Sequence, residues 1–258
     1  MVLECVLVAF FAGLVFGLFG SGSGLVMMPG YYYILRHFTL VHSHHMQVAV
    51  ATTAAVTGVL GFFSSRRQYR SGQVDFSVVR KLIPGLTLGS LAAIAGLYFA
   101  PSTILKKAFG VIVVLVAVWL ASYRPERDRF GWSLTSLWHF FRSIGIALLW
   151  FMLGVAVFLV PYLHKCGLPV RRAVGTASFV ATIYSAFMGI AFMIAGYFVL
   201  GIGHGQLGYV SIALFLASLI PSSLGGSWGA RLSLLIPSQQ LKWIYAALVA
   251  FVGALMLV

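Results

Sequence analysis

Charge is scarce in this chain. Only 8% of its 258 residues are Asp, Glu, Lys or Arg, against roughly 25% in a soluble domain whose surface must face water. That shortage excludes a globule covered by water. Acidic residues are the scarcest of all: Glu4, Asp75, Glu126 and Asp128 are the only four. None lies inside a predicted span, Glu4 standing at the edge of the first. Pumps and symporters commonly bury carboxylates to carry protons or hold cations, so a cationic substrate and a carboxylate relay are both disfavoured. The two cysteines, Cys5 and Cys166, are too few for a disulfide framework or a metal cluster and read as bystanders. No Walker motif is present, which excludes ATP drive from this chain. No Ser/His/Asp set or metal-ligand spacing falls within the apolar stretches, so an intramembrane enzyme is disfavoured and no cofactor is expected.

What is present is apolar. Hydrophobic residues make up 61% of the chain, and the mean hydropathy is +1.01. Apolar blocks run at about 2–19, 24–35, 47–63, 82–99, 105–123, 143–163, 174–200, 209–229 and 241–258. Most approach the 20 residues that cross a hydrocarbon core of about 30 Å. A transmembrane β-barrel would alternate apolar and polar residues in short segments, whereas these runs are continuous and rich in Leu, Ala and Gly. The expected class is an all-α polytopic membrane protein. Residues 1–19 are read as mature structure rather than a signal peptide, because Glu4 is their only charge and Gly-rich sequence follows. The net charge of +13 reflects Lys and Arg placed in loops by topology rather than a nucleic-acid surface; membrane lipid and a small anion are the expected partners.

The first two blocks are separated by Gly20-Ser21-Gly22-Ser23-Gly24, small residues that no stable helix favours, and the second block is too short to span. This predicts a broken helix hairpin. Irregular backbone at membrane depth is tolerated only where protein buries it or a cavity faces it. The chain also repeats itself in order: Val50-Ala51-Thr52 with Val174-Gly175-Thr176, Leu82-Ile83-Pro84 with Leu219-Ile220-Pro221, Pro101 and Leu105-Lys106 with Pro237 and Leu241-Lys242. Met28-Pro29 likewise matches Val160-Pro161. The expected organisation is a first repeat at 1–123, a cytoplasmic linker at 124–132 and a second repeat at 133–258. Arg66, Arg67, Arg70, Arg80 and Lys81 crowd one loop of the first half, while the matching segment of the second half has no Lys or Arg. Lys165, Arg171 and Arg172 mark the loop before it instead. Since Lys and Arg favour the cytoplasmic side, the two repeats are expected to be inverted, each a re-entrant broken hairpin followed by about three transmembrane helices. Lys106 and Lys107 fit this assignment less well.

The hairpin is the expected binding site. A half-helix starting at Gly22–Gly24 presents unpaired N–H groups and the positive end of its dipole. Glycines let an anion approach that backbone closely, an arrangement transporters use for anionic groups; the competing reading is tight helix packing alone. Candidate substrate-binding residues are Gly20, Ser21, Gly22, Ser23 and Gly24, completed by Thr52, Thr53, Thr176 and Ser178 as a polar cage. Gln47 and Thr182 are further polar residues in the same spans, and such threonines often bond only their own helix. The second half's counterpart, Phe151-Met152-Leu153-Gly154-Val155, has one glycine and no hydroxyl, which predicts an asymmetric site. His37, His42, His44 and His45 cluster in one loop, where a solvated loop is favoured over a metal site or pH sensor. No metal site is expected. Gly22→Leu is expected to abolish transport while leaving the chain folded.

Phe16-Gly17-Leu18-Phe19-Gly20-Ser21-Gly22-Ser23-Gly24-Leu25 followed by Met28-Pro29 resembles the glycine-rich signature of the sulfite exporter family called TauE/SafE. Val48-Ala49-Val50-Ala51-Thr52-Thr53 and Arg171-Arg172-Ala173-Val174-Gly175-Thr176-Ala177-Ser178 resemble its paired threonine elements, and Gly72-Gln73-Val74-Asp75 its G-x-V-D loop. The resemblance covers nearly the whole chain. It implies a multi-pass bacterial inner-membrane transporter of small sulfur-containing anions such as sulfite, thiosulfate or an organosulfonate. Ser21 and Ser23 stand where the family often has other small residues, and the second glycine-rich motif is lost. An inside-negative potential favours anion exit by about 2.3 kcal/mol per charge per 100 mV, so export is the expected direction. An anion channel of the same fold and an accessory subunit without transport are the alternatives.

Overall fold

The structure is a computed structural model that describes residues 2–19, 22–38, 44–122, 137–153, 159–200, 202–203, 205–232, 235–236 and 238–257. The expected linker at 124–132 and the residues Gly20, Ser21, His42, Gly154 and Val155 lie outside them. The first half contains α1 (Val2–Phe19), α2 (Ser23–Phe38), α3 (His45–Arg70), α4 (Phe76–Phe99) and α5 (Ser102–Ser122). The second contains α6 (Leu137–Leu153), α7 (Leu159–Lys165), α8 (Val170–Leu200), α9 (Ile212–Leu232) and α10 (Ser238–Leu257). The helices are joined after α8 by a ribbon of three two-residue strands, β1 (Ile202–Gly203), β2 (Gln206–Leu207) and β3 (Val210–Ser211), antiparallel in that order. The ribbon is a small departure from the all-helical expectation.

Among the described residues, five segments are long and apolar enough to cross a bilayer: Val2–Phe19, His45–Phe62, Phe76–Gly96, Arg172–Phe198 and Ile212–Leu232. At 21 and 20 residues, α5 and α10 are each about 30 Å long. Their neighbours leave a large apolar surface outward. Phe99 is 80% exposed, Phe198 79% and Ile220 73%, an arrangement that lipid accepts and water does not. Pro29, Pro84 and Pro221 all lie inside helices rather than at the ends of apolar blocks. Neighbouring helices can re-satisfy the carbonyls that such prolines free. The block expected at 143–163 divides into α6 and α7, and α4 begins six residues before the expected edge at 82. That early start follows from Asp75, whose carboxylate accepts hydrogen bonds from the N–H groups of Ser77 and Val78 and caps the helix.

Small residues set the helix pairs. A Cβ on Gly13 would stand 2.0 Å from the Ser222 carbonyl oxygen, and one on Gly225 or Gly229 2.1 Å from the carbonyl of Phe10 or Leu14. Two G-x-x-x-G faces therefore bring α1 and α9 into backbone contact, running parallel. The same analysis makes α4 and α6 parallel, with Gly85 against Ser143 and Gly89 against Ala147. Along α3 and α8, Ala55 meets Gly189, Gly58 meets Ala186 and Gly61 meets Thr182, so these two run antiparallel. Gly110 meets Gly253 and Leu257, while Gly253 meets Val113 and Val114, so α5 and α10 are antiparallel as well.

The resulting contacts follow an exchange rule. Four first-half helices pair with helices of the second, α1 on α9 where α6 packs on α4, with α3–α8 and α5–α10 between them, while α2 packs on α1 and α3. The antiparallel α3–α8 register also puts Arg66 and Arg70, near the end of α3, at the same end of the pair as Arg172, near the start of α8. Basic residues from both halves thus gather at one end of the bundle. The main core lies among α1, α2, α3, α5, α9 and α10, and a second cluster joins α4, α6, α7 and α8.

Candidate anion site at a helix break

Helices α1 and α2 form an antiparallel hairpin: a Cβ on Gly22 would stand 3.3 Å from the Val15 side chain, and one on Gly30 2.4 Å from Val8. The turn back into α2 is made by Gly22, whose φ of +108° is one that L side chains rarely adopt. Leu25 N–H donates to the Gly22 carbonyl at 3.1 Å. The N–H groups of Ser23 and Gly24 belong to the opening turn of α2, which has no intrahelical acceptor for them. Gly22, Ser23 and Gly24 are all buried. The Ser23 hydroxyl is 3.1 Å from that of Thr57, at the midpoint of the 26-residue α3. The start of α2 therefore sits deep in the bundle, facing the middle of a helix of membrane-spanning length.

A phenol closes the other side. Tyr245, on α10, stacks on Phe19 with ring centroids 4.2 Å apart, and its Oη lies 2.9 Å from where a Cβ on Gly22 would stand. Leucine at position 22 would thus meet both this ring and an unfavourable backbone angle. The expectation that Gly22→Leu leaves the chain folded has that crowding against it.

The remaining candidates do not gather here. Thr52 Oγ1 accepts the Ser211 N–H at 3.1 Å, just before α9. Thr176 Oγ1 accepts the Asp75 N–H at 3.0 Å, just before α4. These are equivalent jobs: each threonine pins the start of a helix from the opposite half. The α3–α8 register sets Thr52 level with a point roughly 16 residues from Thr176 on α8, about 24 Å along the axis. The four hydroxyl residues expected to form one cage are therefore spread along the bundle. Thr53 is buried with no hydrogen-bond partner for its Oγ1 among the described residues. It lies one turn from Thr57 on the same side of α3. Ser178 is buried in α8, and its carbonyl accepts the Thr182 hydroxyl at 2.8 Å, the local back-bond common to helical threonines. Gln47 ties the corner between α4 and α5: its side chain donates to the Ala100 carbonyl at 2.9 Å and accepts from the Ser102 hydroxyl at 2.5 Å.

Among the described residues, those at the break carry no charge. Gly22, Ser23, Gly24, Thr57 and Tyr245 are all formally neutral. Asp75 is a helix cap outside the membrane-spanning segments. The Ser77 hydroxyl holds its carboxyl below the usual range, helped by the N–H groups at the helix start and by Arg172 and opposed by burial. Among the described residues no three His, Cys, Asp or Glu side chains group as metal ligands. His37 Nδ1 lies 3.1 Å from the Tyr33 carbonyl oxygen, while His44 and His45 meet the rings of Tyr209 and Tyr32 edge-on. An open groove between α3 and α8, lined by Val59, Phe62, Ile190, Met193 and Phe215, is apolar and offers nothing to an anion.

The family profile described as "Sulfite exporter TauE/SafE" matches residues 5–256. The chain belongs to the TauE/SafE family. Its relatives are described as membrane transporters. A "Probable membrane transporter protein" of Haemophilus influenzae is 28% identical over 93% of this chain and 92% of its own length. Another from Methanocaldococcus jannaschii is 23% identical over 98% of this chain and 94% of its own. No solved structure matches the chain significantly. Membership makes this TauE/SafE protein a member of a membrane transporter family, and its several apolar helices of spanning length make it multi-pass. Sequence reasoning missed Thr57, although its i+4 spacing from Thr53 was a usable signal. It also missed Tyr245, which has no local motif to mark it.

Proposed function

We propose that this protein is a secondary carrier that exports a small sulfur-containing oxyanion, such as sulfite, thiosulfate or an organosulfonate, across the bacterial inner membrane. The observation that carries the reading is the start of α2: a buried helix N-terminus with Gly22 and Gly24 in its backbone, facing mid-α3. Helix N-termini stabilise anions through oriented N–H groups and the dipole, and a low-dielectric surrounding strengthens the effect. Among the described residues none at the break is cationic, which favours the weak, reversible binding that a carrier needs.

Alternating access between two inverted repeats is the proposed mechanism. Its support is the exchange rule of helix pairing, the antiparallel α3–α8 and α5–α10 pairs, and the gathering of basic residues at one end. An axis lying in the membrane plane relates equivalent helices in opposite directions, and α3 with α8 has that relation. The basic end is the proposed cytoplasmic face. The position of Ser23 opposite mid-α3 supports a hairpin that turns inside the membrane.

The test is flux of sulfite, thiosulfate and sulfoacetate in proteoliposomes of the purified chain, with and without an imposed potential. Saturable flux that follows the potential is expected. Fast, non-saturating flux would make the protein a channel. No flux of any of the three would overturn the carrier reading and leave an accessory role.

A further inference from the structure

We propose that Tyr245 is a substrate-binding residue, its hydroxyl donating to an oxygen of the anion held at the N-terminus of α2. This rests on the anion-carrier reading and assigns the last helix of the chain a direct part in it. Tyr245 is 6% exposed, and its Oη has no hydrogen-bond partner among the described residues. A buried hydroxyl left unpaired is costly, and native interiors rarely keep one without cause. Phe19 packs on the ring at 4.2 Å. Its Oη points at Gly22, where the absent side chain leaves the phenol beside the backbone that opens α2.

The symmetry of the chain sharpens the argument. Aligning Leu105-Lys106 with Leu241-Lys242 puts Phe109 at the position equivalent to Tyr245. Phe109 is equally buried, at 0% exposure, and carries no hydroxyl. The second half's counterpart segment has one glycine and no hydroxyl, and the ring equivalent to Tyr245 carries no donor; the glycine-rich break of the first half faces one. A core-filling role alone would be served by phenylalanine at both positions. The donor and the break occur together, which is the pattern of a ligand that both must touch.

A phenol supplies one directed O–H and no charge. The site it completes takes an anion with an exposed oxygen acceptor, as sulfite, thiosulfate and sulfonates have, and leaves the anion's charge uncompensated. Transport is then expected to move net charge.

The test uses sulfite as probe, in proteoliposomes of the full chain carrying Tyr245→Phe, with Tyr33→Phe as control because its hydroxyl bonds the Leu255 carbonyl instead. Tyr245→Phe keeps the ring and its stack and removes only the oxygen. The expected result is a rise in KM for sulfite of about tenfold, the scale of a hydrogen bond to a charged group, with a maximal rate changed far less. The melting temperature in detergent should be unchanged or higher, and sulfite should raise it less than in the wild type. An unchanged KM with normal wild-type flux would overturn this inference alone. A fall in melting temperature with an unchanged sulfite response would make Tyr245 a packing residue. Absence of saturable flux in the wild type would remove the carrier reading, and this assignment with it.

Discussion

Thr52 and Thr176 carry the same hydrogen bond in the two halves, but their backbone partners differ in exposure. Ser211, whose N–H bonds Thr52, is buried, whereas Asp75, whose N–H bonds Thr176, is half-buried. Replacing Thr by Val keeps the shape and leaves the partner N–H unsatisfied, which costs about 1–3 kcal/mol where water cannot reach it. Thr52→Val should therefore lower stability by about that amount, and Thr176→Val by less, because water can replace the hydroxyl at Asp75. Both should leave the KM for sulfite near the wild-type value. Thermal unfolding in detergent and flux in proteoliposomes measure the two effects separately; a large KM change in either variant would return these threonines to the substrate site. At this scale the sequence singled out two residues to which the structure gives equivalent hydrogen bonds at separate places along the bundle. The V-x-T repeat announced that Thr52 and Thr176 were equivalent. It did not reveal that each faces the opposite half, because a contact between residues 159 positions apart, as Thr52 and Ser211 are, leaves no local pattern.

Glycines mark the elements most clearly, and they do two different things. Gly22 turns the chain, while those of α1 and α9 admit a neighbouring backbone. The adjacent pair Gly225 and Gly226 separates packing from propensity on one helix. A Cβ at 225 would lie 2.1 Å from the Phe10 carbonyl oxygen, and one at 226 no closer than 3.6 Å from that of Gly13. Overpacking of this kind costs about 1–3 kcal/mol, whereas Gly to Ala inside an open helix position gains about 0.5–1 kcal/mol. Gly225→Ala should accordingly destabilise the α1–α9 pair and Gly226→Ala should be neutral or stabilising, read as melting temperatures of the purified chain. Equal shifts would mean that α1 and α9 do not touch as described. The apolar blocks foretold nearly every helix, because composition alone sets where lipid-compatible segments lie. Their ends were less legible. Asp75 starts α4 outside its apolar run by capping it, and α3 continues to Arg70 because a charged turn can remain helical beyond the apolar stretch. Pro29, Pro84 and Pro221 interrupt a pattern but not a helix when neighbours pack around them.

The proposed relation between the two halves was partly readable from charge. Lys and Arg switch loops between the two halves of the sequence, and the antiparallel α3–α8 pair brings the two basic groups to the same end. Lys107 belongs to the opposite end, at the start of α5, where neighbouring Lys106 lies 5.8 Å from the Tyr32 ring and 5.9 Å from that of Tyr33. Stacking over two aromatic rings stabilises a cation on a face that charge statistics would leave neutral, so this lysine pair does not argue against inversion. The arrangement is testable without substrate. In a Cys5→Ser/Cys166→Ser background, single cysteines at the exposed positions Ser71, Pro169 and Lys107 report the face of each loop to a membrane-impermeant maleimide. Ser71→Cys and Pro169→Cys should be protected in right-side-out cells and label in inverted vesicles, with Lys107→Cys doing the reverse. If Ser71→Cys and Pro169→Cys label from opposite faces, the halves do not share a basic end, and alternating access between inverted repeats loses its geometric basis. If all three follow the expected pattern, α3 and α8 cross the membrane in opposite directions around the break at Gly22. A substrate held there would be reached from either face by rocking one half against the other.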